Sequence, residues 1–148
     1  MKLLELYSRA SGLKIGKQHV HETFYPLPFT RYITFQASSG MAAKNYPYYN
    51  EVILLLREQL VASGISIVQL GGEDDQPLLG ATHLQGRTTI AQSSYLLRRS
   101  MLHIGNDSWL VHRAGALRIP LIAVYGSTTV ANQAARVAQG NWLMKMDA

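Results

Sequence analysis

Residues 101–129 read MLHIGNDSWLVHRAGALRIPLIAVYGSTT, and this stretch decides the fold. Met101-Leu-His-Ile104 is a short apolar run, and Gly105-Asn106-Asp107-Ser108 supplies turn and helix-cap residues. Leu110, Val111, Ala114 and Leu117 recur at helical spacing. Arg118-Ile119-Pro120 stops that helix, and Leu121-Ile-Ala-Val-Tyr125 is a buried strand ending at Gly126. Strand, turn, helix and strand in this order make a βαβ unit. Its first turn lies at the carboxyl edge of a parallel sheet, where open α/β folds bind ligands. The free N–H groups of the helix start favour an anion there. Asp107 is either the N-cap of the helix or a group aimed at a ligand hydroxyl or a phosphate-bound partner. Taken alone, the cap reading comes first.

Outward from this unit, strands and helices alternate. Residues 1–12 predict a short helix with Leu3, Leu4 and Tyr7 on one face and Gly12 as its stop. Residues 13–31, with Gly16, Pro26 and Pro28, read as an extended linker with room for a short strand. Arg31 to Gln36 is the first convincing sheet strand. ASSGMAAK (37–44) is a small-residue loop, and Asn45-Tyr46-Pro47 fits a helix entry. That helix runs to about Ser63, with Val52, Leu55, Leu56 and Leu60 inward and Gly64 beyond its end. Ile65 to Leu70 is a second strand and Leu84-Gln-Gly86 a brief third, followed by a helix from Thr89 to Arg99 carrying Ile90, Tyr95, Leu96 and Leu97. Val130 to Val137 is a helix candidate, and the tail 140–148 has no evident partner. The sum is a parallel α/β sheet of four or five strands flanked by helices.

Composition narrows the function. The chain has 148 residues, 47% hydrophobic and 16% charged, enough for one globular domain. There is no cysteine, so neither a disulfide nor a thiolate metal site is available. The start MKLLELYSRASG lacks the order of a signal peptide and no apolar run has the length of a membrane span, so a cytoplasmic location is expected. The net charge is +5, but the basic residues are scattered, with no basic run longer than a pair. Without a nucleic-acid motif, a solvated basic surface accounts for them better than nucleic-acid binding.

Four loops at one sheet edge are the candidates for chemistry. ASSGMAAK can line an anion site with its N–H groups and the Ser38 and Ser39 hydroxyls, and Lys44 adds positive charge. It is not a Walker A sequence, and alone it reads as a plain βα loop. Gly71-Gly72-Glu73 permits close backbone approach with an acid beside it, without forming the GxGxxG fingerprint of a dinucleotide site. Alternatively, it is a turn closed by solvated acids. His112, one and a half turns after Asp107, can reach over the same edge, or simply pack on its helix. Gly126-Ser127-Thr128-Thr129 repeats the small, hydroxyl-bearing pattern. His83 and His103 lack metal-ligand spacing, and no GxSxG nucleophile elbow occurs. Together these loops suit a nucleoside diphosphate better than an apolar or protein ligand.

The segments ITFQASSGMAAKNYP (33–47), IVQLGGEDD (67–75), LQGRTTIAQSSYLL (84–97) and the stretch from Leu102 to Thr129 resemble the C-terminal domain of glycosyltransferase family 9, the heptosyltransferases of lipopolysaccharide synthesis. The resemblance implies a Rossmann-like parallel sheet, one half of a GT-B fold, holding a nucleotide-sugar. Carried over by position, Lys44 and Ser39 would touch the diphosphate and Thr88 would lie beside the base. Asp107 and Ser108 would meet phosphate or sugar with His112 in support, and Glu73 would hold the ribose. Three departures stand out, and the tail adds a fourth. Trp109 follows the Asp-Ser pair where the family usually has glycine. Arg113 follows His112 where a small or apolar residue is commoner. The sequence also shows no counterpart of the N-terminal domain that supplies the acceptor site and the proposed carboxylate base, and the family's proline-rich continuation after Thr129 is lost.

The expected organisation is a helix and linker over 1–31, a donor-binding domain over 32–129 and a tail over 130–148. The expected ligand is an ADP- or UDP-linked sugar, with no catalytic residue, metal or cofactor in this half. Glycosyl transfer then requires a companion N-terminal domain. A cleft face left uncovered implies either a homo-oligomer or a mobile segment over 1–31. The alternatives are an inactive interaction module plugged by Trp109 and a nucleotide-sugar epimerase sharing this donor-binding half.

Overall fold

The computed structural model describes residues 3–16, 18–126 and 142–145. A helix, α1 (Leu3–Ser11), precedes a six-stranded sheet: β1 (Tyr32–Gln36), β2 (Ser66–Gln69), β3 (Thr82–His83), β4 (His103–Asn106), β5 (Leu121–Tyr125) and β6 (Trp142–Lys145). The strand order is β3-β2-β1-β4-β5-β6, and every neighbouring pair is parallel. Three helices, α2 (Tyr49–Ala62), α3 (Ile90–Arg99) and α4 (Trp109–Leu117), lie between strands in sequence and cover the sheet. The central strand β1 is buried along its whole length, as a parallel strand covered on both faces must be. Tyr32 and the strands beside it build one core with α3 and α4, whereas Ile33, Phe35 and Ile104 build another with α2. Among the described residues no helix is long and apolar enough to cross a membrane.

The α4 pattern holds as expected: Leu110, Val111 and Ala114 are fully buried and Leu117 nearly so. Arg118 ends the helix in the left-handed conformation (φ 57°), its N–H bonded back to Ala114 and Gly115 carbonyls. Helix α3 is started by a capping box in which Thr89 Oγ1 accepts from Gln92 N and the Gln92 side chain accepts from Thr89 N.

Several expectations are corrected. Helix α2 begins at Tyr49 rather than at Asn45, because Ala42–Lys44 already forms a separate 3-10 turn and Asn45 is extended. Its inward stripe is Tyr49 and Ile53, with Val52, Leu56 and Leu60 half-buried, whereas Leu55 is 83% exposed. The run Val52-Ile-Leu-Leu-Leu56 is apolar on every side, so its period cannot select the buried face. The third strand is Thr82–His83, two residues earlier than expected, and Leu84 to Gly86 form the turn that follows it. The sheet has six strands, not four or five, because Trp142–Lys145 of the tail pairs with β5. The helix candidate at 130–137 lies outside the described residues.

Residues 18–31 form no strand; they run as a strap over α3. Thr23 N donates to Ala91 O at 3.1 Å, and Glu22 meets Arg98 Nε at 2.7 Å. Phe24 packs edge-on against Tyr95, and Val20, Tyr25, Leu27 and Phe29 rest on the core. This part of 1–31 is therefore docked, against the mobile segment that is one of the two expected alternatives, the other being a homo-oligomer.

Candidate functional site

The carboxyl ends of β1, β2 and β4 open onto one cleft of about 470 Å³. Gln36, Ser38 and Ser39 line it from β1, Glu73 to Asp75 from β2, and Ser108 and Trp109 from β4. Parallel strands put these loops side by side because every strand points the same way.

The loop after β1 is held by its own polar groups. Asn45 Oδ1 accepts from Ser39 N at 2.6 Å and from Ser39 Oγ at 3.0 Å, and Ser39 Oγ also donates to Met41 O at 2.9 Å. Buried Asn106 ties this loop to β4: its Oδ1 accepts from Tyr46 N (3.0 Å) and the Tyr49 hydroxyl (2.9 Å), and its Nδ2 donates to Ala37 O (2.8 Å). Burial keeps the Tyr49 phenol protonated by raising its pKa well above the ordinary value.

The 3-10 turn that ends at Lys44 delivers its ammonium to Asp107, with Nζ 2.9 Å from Oδ2. On the other side of the same carboxylate, His112 Nε2 lies 3.6 Å from Oδ1. The Asp107 side chain is 2% exposed and that of Lys44 18%, so the pair is largely withdrawn from water. Asp107 is therefore not the N-cap of α4. Ser108 occupies that position, and its hydroxyl donates to Gln36 Oε1 instead of capping the helix. The first-turn N–H groups of α4 consequently receive no cap from Ser108.

The β2 loop is shaped by close approach within the chain. A Cβ on Gly71 (φ 138°) would lie 2.0 Å from Asp75 Oδ2, and one on Gly86 (φ 65°) would lie 2.8 Å from Glu73 Cβ. These glycines make room for the protein's own side chains. Asp75 Oδ2 is buried without a hydrogen-bond partner among the described residues, and burial raises the Asp75 pKa against the lowering effect of the Gly72 backbone.

Of the residues singled out from sequence, Lys44, Asp107 and His112 come together in one chain of charged and polar groups. Ser39, Glu73 and Ser108 share the adjoining cleft. Thr88 stands apart from its lining, with its hydroxyl 2.8 Å from Ser93 Oγ. Sequence reasoning missed Gln36, Asn45 and Asn106. A polar residue closing an otherwise apolar strand was the available signal for Gln36 and Asn106; Asn45 had none. Ser127 to Thr129 lie outside the described residues. Among the described residues no three His, Asp or Glu side chains group closely enough to hold a metal ion.

A wholly parallel sheet flanked by helices, with polar loops gathered at one edge, defines a Rossmann-like α/β domain. The chain matches glycosyltransferase family 9 (heptosyltransferase) over residues 4–139 and belongs to that family. Lipooligosaccharide heptosyltransferase 2 of Haemophilus influenzae is 29% identical over 100 residues, covering 59% of this chain and 28% of that protein. Lipopolysaccharide heptosyltransferase 2 of Escherichia coli K12 is 31% identical with the same coverage. The chain thus spans about 28% of the length of these curated relatives. Among solved structures, E. coli ADP-heptose LPS heptosyltransferase II superposes with a TM-score of 0.64 at 24% identity, over 79% of this chain and 38% of that one. E. coli heptosyltransferase WaaC with ADP gives 0.66 at 20% identity, over 97% of this chain and 48% of that one.

Proposed function

We propose that this chain is the donor-binding half of a heptosyltransferase-like enzyme, taking an ADP- or UDP-linked sugar at the carboxyl edge of β1, β2 and β4. The observation that carries the reading is the Lys44 ammonium held 2.9 Å from Asp107 at the start of α4. Lys44 and the α4 N-terminus then compensate the diphosphate, with His112 beside them. Asp107 fixes Lys44 and offers an acceptor to a sugar hydroxyl. Ser39 and Ser108 line the adjoining cleft, Glu73 holds the ribose and Thr88 lies toward the base. The solved relative with ADP supports a nucleoside diphosphate as the ligand class.

In the transfer itself, the bond from the sugar's anomeric carbon to the diphosphate oxygen breaks as the acceptor hydroxyl oxygen bonds to that carbon. The acceptor's proton goes to a base. This half stabilises the departing diphosphate electrostatically. Acceptor and base come from a companion domain, or from another copy of the chain if it assembles. In this proposal residues 32–129 carry the donor site and 1–31 the strap and helix.

Calorimetric titration with ADP, UDP, GDP and their sugars tests the reading. Saturable binding that Lys44→Ala and Asp107→Ala weaken, in proteins with unchanged circular dichroism, supports it. Absence of binding by the folded wild-type chain, with binding gained in Trp109→Gly, identifies the plugged interaction module instead. Product analysis with the companion domain present separates glycosyl transfer from epimerisation.

A further inference from the structure

We infer that Trp109 is a stacking platform for the nucleobase of the donor; this rests on the donor-binding reading above and assigns a part of that site to a residue of this chain. Trp109 opens α4 and lines the cleft, 39% exposed. A side chain that plugged the site would be buried and would leave no cleft beside it. The indole is also fixed from behind. The Arg113 guanidinium, one turn on, sits over the ring 5.8 Å from its centroid, within cation–π range. Arg113 Nη1 is in turn tied at 2.6 Å to the hydroxyl of Ser94, a fully buried residue of α3. A cation on one face of the ring leaves the other for a planar group, already oriented.

Charge decides which part of the donor reaches it. The cleft is lined by Glu73, Asp74 and Asp75 and by no lysine or arginine. Three carboxyl groups repel a diphosphate and accept hydrogen bonds from ribose hydroxyls and base amino groups. Lys44, the group that suits phosphate, lies outside that lining, against Asp107. The cleft therefore takes the uncharged nucleoside end, and its volume of about 470 Å³ lies within the range of small-molecule sites. Arg113, behind the indole, is anchored to α3 through Ser94, and Glu73 lies against Gly86 of the turn that leads into α3. Base and ribose are thus placed in the cleft that Trp109 and Glu73 both line. Stacking on indole favours the larger ring, so ADP binds more tightly than UDP.

The test is calorimetry of wild type, Trp109→Ala and Trp109→Phe with ADP, UDP and inorganic pyrophosphate. Base–aromatic stacking corresponds to roughly 5- to 150-fold in affinity. W109A should weaken ADP binding by about tenfold and narrow the ADP-over-UDP preference, with pyrophosphate binding unchanged. W109F should recover most of the ADP affinity. Equal loss for ADP and pyrophosphate overturns the proposal, because the ring then serves the phosphate site or the fold. Unchanged or tighter ADP binding by W109A overturns it too, the latter marking a plug. Pyrophosphate binding without added affinity for ADP removes the platform and leaves the phosphate site standing. If no variant binds any of the three, donor binding and stacking fall together.

Discussion

On the face of the sheet that carries α3 and α4, Leu96, Leu97, Leu110, Val111 and Ala114 are fully buried. On the opposite face α2 seals only Tyr49 and Ile53, while Leu54, Leu55 and Val61 are 54%, 83% and 73% exposed. The difference follows from the connections. Parallel neighbours need a crossover, usually a helix. The β3–β4 and β4–β5 connections contain α3 and α4, but residues 70–81, between β2 and β3, form turns with no helix. An apolar groove of about 470 Å³, bordered by Ile53, Leu54, Leu60, Val61, Ile67 and Leu79, lies beside α2. Both faces carry a buried core, but α2 is buried at only two positions on its side.

That contrast can be broken by substitution. Leu110→Ala on the sealed face should cost about 2–5 kcal/mol of unfolding free energy, read from urea denaturation. A cost under about 1 kcal/mol would show that α4 is not tightly packed. On the opposite face, Asn106→Ala should cost roughly 1–3 kcal/mol, because it strips partners from Tyr46 N, the Tyr49 hydroxyl and Ala37 O together. Thermal melts of N106A and Tyr49→Phe would check that the loss comes from this cluster.

A pH-dependent effect belongs to His103 of the sealed face. Burial pushes its pKa from the ordinary 6.5 down to about 3, against the Thr34 hydrogen bond that raises it. Above pH 6.5 the ring is neutral in both folded and unfolded chains. Between about 3 and 6.5 the unfolded chain binds a proton that the folded chain does not, so stability falls as the pH drops, by at most about 1.4 kcal/mol per pH unit. Melting curves of His103→Asn over this range should show a shallower dependence than wild type; parallel curves would remove His103 as the cause. The smallest effect is expected at Leu55. Leu55→Lys should change stability by no more than about 0.5 kcal/mol, and a larger loss in a melt would show that the α2 surface is covered in solution.

The sealed face was also the legible one. Leu110, Val111, Ala114 and Leu117 fall at unambiguous helical spacing, and Thr89 with Gln92 announces the start of α3. Helix α2 hid its stripe in a five-residue apolar run. The tail hides β6 because nothing in its four residues names β5, whose pairing with them gives the strand its place. At the site, local pattern favours Asp107 as the cap although Ser108 beside it is an equally good cap residue. What decides is Lys44, 63 residues away in sequence, which claims the Asp107 carboxylate and leaves the cap to Ser108. The role of Asn45 was invisible for the same reason: it acts through contacts that form only when the loop after β1 folds on itself.

The placement of β1 at the centre of the sheet has a consequence for synthesis. One edge of β1 pairs with β2, but the other pairs with β4, in the register Thr34↔His103. At ribosomal rates of about 5–20 residues per second, the 69 residues separating that pair take roughly 4–14 s to appear. Through that interval the growing chain carries an apolar strand with one hydrogen-bonding edge open, on a topology whose non-local pairings are slow to close. The strand that anchors the finished domain is thus its most vulnerable element while the domain is being made.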